Sequence, residues 1–285
     1  MRRITAIMRW LGRTLLIVVL VMIGSTVLVR YAPGYLSDPG EMNSRYAHTV
    51  RAELSAEAGR SRSITQMLIT EITGMTRGSA GISRQFDVPV IELIRPRLAV
   101  TGELLLRSLL LGWALALCAA LIASAGKEPS MLWQAPATLL LAVPTAAMAT
   151  LCLLAGSGGP VFVMAVLVAA RDFKFLQRIL RKAWLEEHLL HARAQGIRPG
   201  RLLVAHVWPA FFTQLAALAG LSLVTTLSAL VPVEVLFNVP GLGQLAWNAA
   251  LNRDLPVLLA VTLTMAIGVA CSGMAPSRKV ELERA

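Results

Sequence analysis

The residues best placed to do chemistry lie in Glu186-Glu187-His188-Leu189-Leu190-His191-Ala192-Arg193-Ala194-Gln195-Gly196, a charged run between two long apolar stretches. His188 and His191 stand three apart, a spacing that could put two metal donors on one helical face. A metal site needs further donors, and no His-Glu-x-x-His run supplies them, so solvated or interface histidines are the simpler expectation. The chain also lacks a Gly-x-x-x-x-Gly-Lys-Ser/Thr phosphate loop and a Gly-x-Ser-x-Gly nucleophile elbow. No catalytic set, metal centre or cofactor is therefore expected. What the run can do is dock. Leu185, Leu189 and Ala192 share one face of a helix, Gly196 suits a C-terminal cap, and Pro199 stops continuation. Such a face fits a groove on a partner protein or rests on lipid headgroups equally well.

A second polar group surrounds Glu234-Val235-Leu236-Phe237-Asn238-Val239-Pro240-Gly241-Leu242-Gly243 and ends at Arg253-Asp254. Proline fixes one φ and glycine permits left-handed φ, so Pro240-Gly241-Leu242-Gly243 predicts a tight reversal. Leu242, Leu245, Ala246 and Ala249 then predict an apolar helical face. Either a re-entrant element lining a mouth or a plain interfacial hairpin would carry this pattern. Arg253 and Asp254 are expected to face water, a partner or each other, because charge next to lipid is expensive. Arg107, in the second apolar stretch, is expected to snorkel to an interface rather than to bind solute.

These groups are positioned by an apolar scaffold. Of 285 residues, 56% are hydrophobic, which indicates an integral membrane protein. The net charge of +11 sits beside the apolar stretches, not on one clustered face, so nucleic acid is not expected as a partner. Cys118, Cys152 and Cys271 lie inside apolar stretches, where cysteine behaves as a small hydrophobe.

About 20 apolar residues cross a bilayer core. Stretches 11–29, 104–125, 131–155, 210–231 and 255–274 come near that length. A sixth, 160–170, is short and is expected to continue through Arg171-Asp172-Phe173-Lys174-Phe175-Leu176, its charges facing protein or snorkelling. Pro136 and Pro144 predict kinks in the third stretch. The first stretch resembles a signal peptide in its basic start. It lacks a good small-residue cleavage site at Gly24-Ser25-Thr26, so an anchor is expected.

The expected fold is thus an all-α membrane protein with six transmembrane helices. Residues 1–29 form the amino terminus and first helix, 30–103 an extracytoplasmic segment, 104–275 a five-helix core with the loop 171–209, and 276–285 a tail. The loop carries eight basic residues against three acids, and the amino terminus has Arg2, Arg3, Arg9 and Arg13 before any acid. Positive charge marks the cytoplasmic side, so both termini and the loop are expected there, with the protein multi-pass in the cell (inner) membrane. Within the outer segment, residues 43–57 read as a polar helix, and Ile64, Met67, Leu68 and Ile72 form a helical stripe.

The motifs together resemble one family. Ala192-Arg193-Ala194-Gln195-Gly196 is similar to the Ala-Arg-Ala-Lys-Gly core by which permeases of binding-protein-dependent ABC transporters meet their ATPase. The resemblance is to the dipeptide, oligopeptide and nickel permeases. Glu234 to Gly243, followed by Asn252-Arg253-Asp254-Leu255-Pro256-Val257, resembles that family's last outer loop. Pro89-Val90, Glu92-Leu93-Ile94 and Arg97-Leu98 resemble the approach to its second span. Ala32-Pro33-Gly34, Arg77-Gly78, Gly81 and Ser83 fit its first outer segment. The chain departs from the family at Ser79, Ala99 and Gln195, in lacking a proline near Gln214, and in the short connection 155–159.

The resemblance implies a transport subunit, not an enzyme. ATPase coupling would fall on Glu187, His188, Ala192, Arg193, Ala194, Gln195 and Gly196. An outer loop or gate would fall on Glu234, Phe237, Pro240, Gly241, Gly243, Arg253 and Asp254. It implies cytoplasmic ABC ATPase subunits, a second permease subunit forming a heterodimer, an extracytoplasmic solute-binding protein and membrane lipid as partners. The transported solute would be peptide-like or another small molecule. The rival expectation is a permease-like membrane protein with a structural or regulatory role and no transport. An intramembrane enzyme would need paired catalytic residues within the spans, and none are visible.

Overall fold

The computed structural model describes residues 81–83, 85–125, 131–184, 208–252 and 254–272, with Met8, Gly12, 14–17, 19–20 and 23–24 in the first apolar stretch, all of these last helical. From Val90 onward the described residues form seven helices: α1 (Val90–Ala125), α2 (Met131–Ala142), α3 (Thr145–Leu154), α4 (Pro160–Trp184), α5 (Trp208–Leu236), α6 (Leu242–Leu251) and α7 (Leu255–Ser272). Among the described residues the single β feature is a bridge between Ile82 and Pro89. The polar helix expected at 43–57 and the stripe at 64–72 lie outside the described residues.

Two helical segments are long and apolar enough to cross a membrane, Val90–Ala123 and Gln214–Leu236, and a third counts if α2 and α3 form one broken span. The second span starts earlier than its apolar run predicts, since α1 reaches back to Val90 and contains Pro96. The third stretch is not a kinked rod. Pro136 sits inside α2, whereas Pro144 ends it, and α3 leaves at 96°. A proline cannot donate to the preceding turn and pushes the residue before it out of helical conformation, which accounts for the break at Val143. The sixth stretch does continue, as expected, through 171–176 and on to Trp184.

The described residues fall into two compact units. In one, the start of α1 packs with α6 and α7. Val90 and Ile94 meet Leu242, Leu245 and Ala249, and Val257, Ala260 and Val261 complete the cluster. The spacings of three and four within each helix are those of a single apolar face.

In the other unit, Ala116, Ala120 and Ala123 of α1 pack with Ala137 of α2, Phe173, Leu176 and Leu180 of α4, and Leu218 of α5. Small residues let helix backbones approach closely, the usual route to association where lipid removes the hydrophobic drive. Gly112 shows the limit. A Cβ there would stand 2.7 Å from the Val168 Cβ and 2.9 Å from the Ala165 carbonyl oxygen on α4.

Candidate functional site

The described polar side chains Glu234 and Asp254, at the end of α5 and the start of α7, are buried. Helix α5 ends in a Schellman motif: Val239 N–H donates to the Glu234 carbonyl at 2.8 Å and Asn238 N–H to the Val235 carbonyl at 3.3 Å. This places the left-handed residue at Asn238, φ 51°, a position where asparagine is tolerated. The expectation that Gly241 and Gly243 supply the reversal is corrected here. Gly241 has φ −105° and stands at the start of α6, and Gly243 lies within that helix. Leu242, Leu245 and Ala249 are buried on the expected face, with Ala246 partly buried beside them.

Glu234 is fully buried, and the Thr101 hydroxyl donates to its Oε1 at 2.7 Å. Phe237 and Pro240 frame the turn that follows. Asp254 is 1% exposed, so its carboxylate does not face water. Instead the Ser83 hydroxyl donates to Asp254 Oδ2 at 2.5 Å, and the Gln85 N–H donates to the same oxygen at 3.2 Å. Asp254 also begins α7, its carbonyl accepting the Leu258 N–H at 3.0 Å. The donors come from a tight loop. Ser83 N–H donates to the Val88 carbonyl at 2.9 Å and Val90 N–H to the Gly81 carbonyl at 3.1 Å. Gly81 has φ +80° and its missing side chain leaves room for Pro256 at 3.3 Å. Hydrogen bonds to a charged group contribute about 1.5–3 kcal/mol each. The loop preceding α1 is therefore held firmly to the start of α7. Arg253 lies outside the described residues.

A second polar seam runs through the other unit, and its residues carry little signal in the sequence beyond their charge. Asp172 on α4 is fully buried. The Ser222 hydroxyl on α5 donates to its Oδ2 at 2.5 Å, while Oδ1 has no hydrogen-bond partner among the described residues. The neighbouring Arg171 reaches the same helix, donating to the Leu221 carbonyl at 3.2 Å and to the Thr225 hydroxyl. On its other side α4 meets α2. Lys174 Nζ donates to the Thr138 hydroxyl at 2.8 Å, and Gln134 Nε2 to Gln177 Oε1 at 3.4 Å. The hydroxyls of Ser222, Thr225 and Thr226 in an otherwise apolar run were the available clue.

Arg107 pairs with Glu103 one turn back, both side chains more than half exposed. The coupling residues Glu187, His188, Ala192, Arg193, Ala194, Gln195 and Gly196 lie outside the described residues, between the end of α4 and the start of α5. No group of three metal-ligating side chains occurs among the described residues.

Residues 108–275, more than half of the chain, match the family "Binding-protein-dependent transport system inner membrane component". The chain belongs to this family. Among its relatives, the "Metal-staphylopine import system permease protein CntB" of Staphylococcus aureus is 31% identical over 108 residues, 38% of this chain and 34% of that protein. The "Oligopeptide transport system permease protein AppB" of Bacillus subtilis is 31% identical over 107 residues, 36% of this chain and 34% of that protein. The match thus spans about a third of the length of both relatives. The "Probable peptide ABC transporter permease protein y4tP" of Sinorhizobium fredii is 25% identical with 90% of each chain covered. Family membership makes the chain an inner-membrane component, in keeping with its apolar helices.

Proposed function

We propose that this chain is a transmembrane permease subunit of an ABC importer. It would form part of the path for a small peptide-like solute, with ATP hydrolysed on separate cytoplasmic chains. The observation that carries this reading is the family match over 108–275, supported by similarity over 90% of each chain to a relative named as a probable peptide ABC transporter permease. In this reading the chain crosses the inner membrane six times with its amino terminus in the cytoplasm. Residues 187–196 dock an ATPase subunit, a second permease subunit completes the path, and an external binding protein delivers solute to the outer loops. An ATPase can drive such a path only if it contacts the docking segment differently in its nucleotide states. A relative named for oligopeptide transport supports a peptide-like solute, and one named for metal-staphylopine import supports another small solute as the alternative.

The test is affinity purification of the tagged full chain from its own membrane, with mass identification of what accompanies it. ATPase subunits and a second permease are expected. A chain that purifies alone, and a complex whose ATP hydrolysis ignores every peptide–binding-protein pair from the same cell, would overturn the reading.

A further inference from the structure

Helices α4 and α5 are the two stems joined by residues 185–207, and hydrogen bonds from Asp172 and its neighbour Arg171 cross between them. Beside these the interface is apolar, with Phe173, Leu176 and Leu180 of α4 and Leu218 of α5 in its cluster. Apolar faces alone allow neighbouring packings one helical turn apart, about 5.4 Å, with little difference in buried area. Asp172 forbids that slide. Its carboxyl is fully buried and takes, as its one side-chain donor among the described residues, the Ser222 hydroxyl at 2.5 Å. A shift of one turn one way would set the carboxyl against the apolar Leu218, and the other way against Thr226, whose hydroxyl already donates to the Ser222 carbonyl at 2.6 Å; either shift also parts Arg171 from Thr225, and a buried polar group that loses its partner is costly.

Stability does not explain the residue, since Oδ1 is buried without a donor and an apolar side chain of similar size would avoid that loss. Arg171 does not neutralise the pair by contact, because its guanidinium is turned to the Leu221 carbonyl and Thr225. It adds two further hydrogen bonds between the same two helices, from the residue before Asp172. Buried polar groups retained against stability are best attested as register devices.

We infer that Asp172, held by Ser222, is a positioning residue that locks α4 to α5, so that the two stems of the 185–207 connection move as one lever. The inference rests on the transporter reading above. Without the lock, force applied to the connection is spent on sliding one stem past the other, and nucleotide turnover continues with less solute moved.

The experiment uses the whole transporter reconstituted in vesicles and reads solute taken up per ATP hydrolysed, normalised to assembled complex. The variants are Asp172→Leu, Ser222→Ala and Asp172→Asn. Asp172→Leu and Ser222→Ala should retain assembly and basal hydrolysis while uptake per ATP falls about tenfold. Asp172→Asn keeps an acceptor for the Ser222 hydroxyl and should retain at least half of the wild-type ratio. An unchanged ratio in Asp172→Leu, or an Asp172→Asn variant as uncoupled as Asp172→Leu, overturns the lock. Failure of the wild-type chain to assemble with ATPases or to move solute strikes the transporter reading instead, so the two failures are told apart.

Discussion

Ser83 and Asp254 are 171 positions apart in sequence, and their side chains meet at 2.5 Å. The serine hydroxyl is used twice, donating to the carboxylate and accepting the Phe86 N–H at 3.1 Å. It therefore closes its own loop while fastening that loop to the first residue before α7. Ser83→Ala leaves Asp254 with the Gln85 N–H alone. The expected loss is about 1.5–3 kcal/mol for a hydrogen bond to a charged group. Labelling of a cysteine placed at the exposed Ile82 should become faster, with membrane insertion unchanged. An equal labelling rate in the two backgrounds would show that the serine carries no strain-bearing contact.

Gly112 is the point where α1 comes closest to α4. Gly112→Ala puts a methyl group 2.7 Å from the Val168 Cβ and 2.9 Å from a backbone oxygen, and neither is the far end of a flexible chain. Overpacking of this kind destabilises by about 1–3 kcal/mol. A lower unfolding midpoint in detergent is expected, partly restored by Val168→Ala, which removes the nearer neighbour. A midpoint that does not respond to Gly112→Ala would mean the two helices separate without cost.

The orientation follows from the arginines at the amino terminus and in the connection after α4. Reporter fusions at Glu57 and Asn248 should report the outer side, and one at Arg198 the cytoplasm. A cytoplasmic signal at Asn248 would refute six crossings with the amino terminus inside.

Gly196 is expected to cap the docking helix in left-handed conformation, which a β-branched residue resists. Gly196→Val should reduce ATPase co-purification and transport-linked hydrolysis at least several-fold. Retention of both would remove residues 187–196 as the docking segment.

The apolar scaffold was legible because its signal is summed over about 20 residues at a time. The extension of the 160–170 stretch was also legible, since the apolar residues at Phe173 and Leu176 keep helical spacing through the charges. The break at Pro144 was read only as a kink. Composition shows a proline's missing donor but not whether the next helix returns to the same axis, and Pro136, in the same apolar stretch, leaves α2 intact. The reversal after α5 was assigned to glycines, yet Asn238 takes the left-handed position, because a Schellman cap is fixed by where the helix ends. The fate of the acids was hidden for a different reason. Whether Asp254 or Asp172 meets water depends on Ser83 and Ser222, residues far away in sequence that carry no charge to betray them.

The right-angled break between α2 and α3 has a consequence for how the bilayer load is shared. Twelve and ten residues rise about 18 Å and 15 Å, against a hydrocarbon layer of about 30 Å. Neither half is a pillar. Helices α1 and α5 can carry the full thickness, while the broken pair acts as a wedge. At its corner α3 begins without a side-chain cap, so its first amide groups must find water or peptide. Lipid offers neither. The corner therefore belongs where water, headgroups or protein can satisfy those amides, and Pro144, which has no N–H of its own, asks for one donor partner fewer.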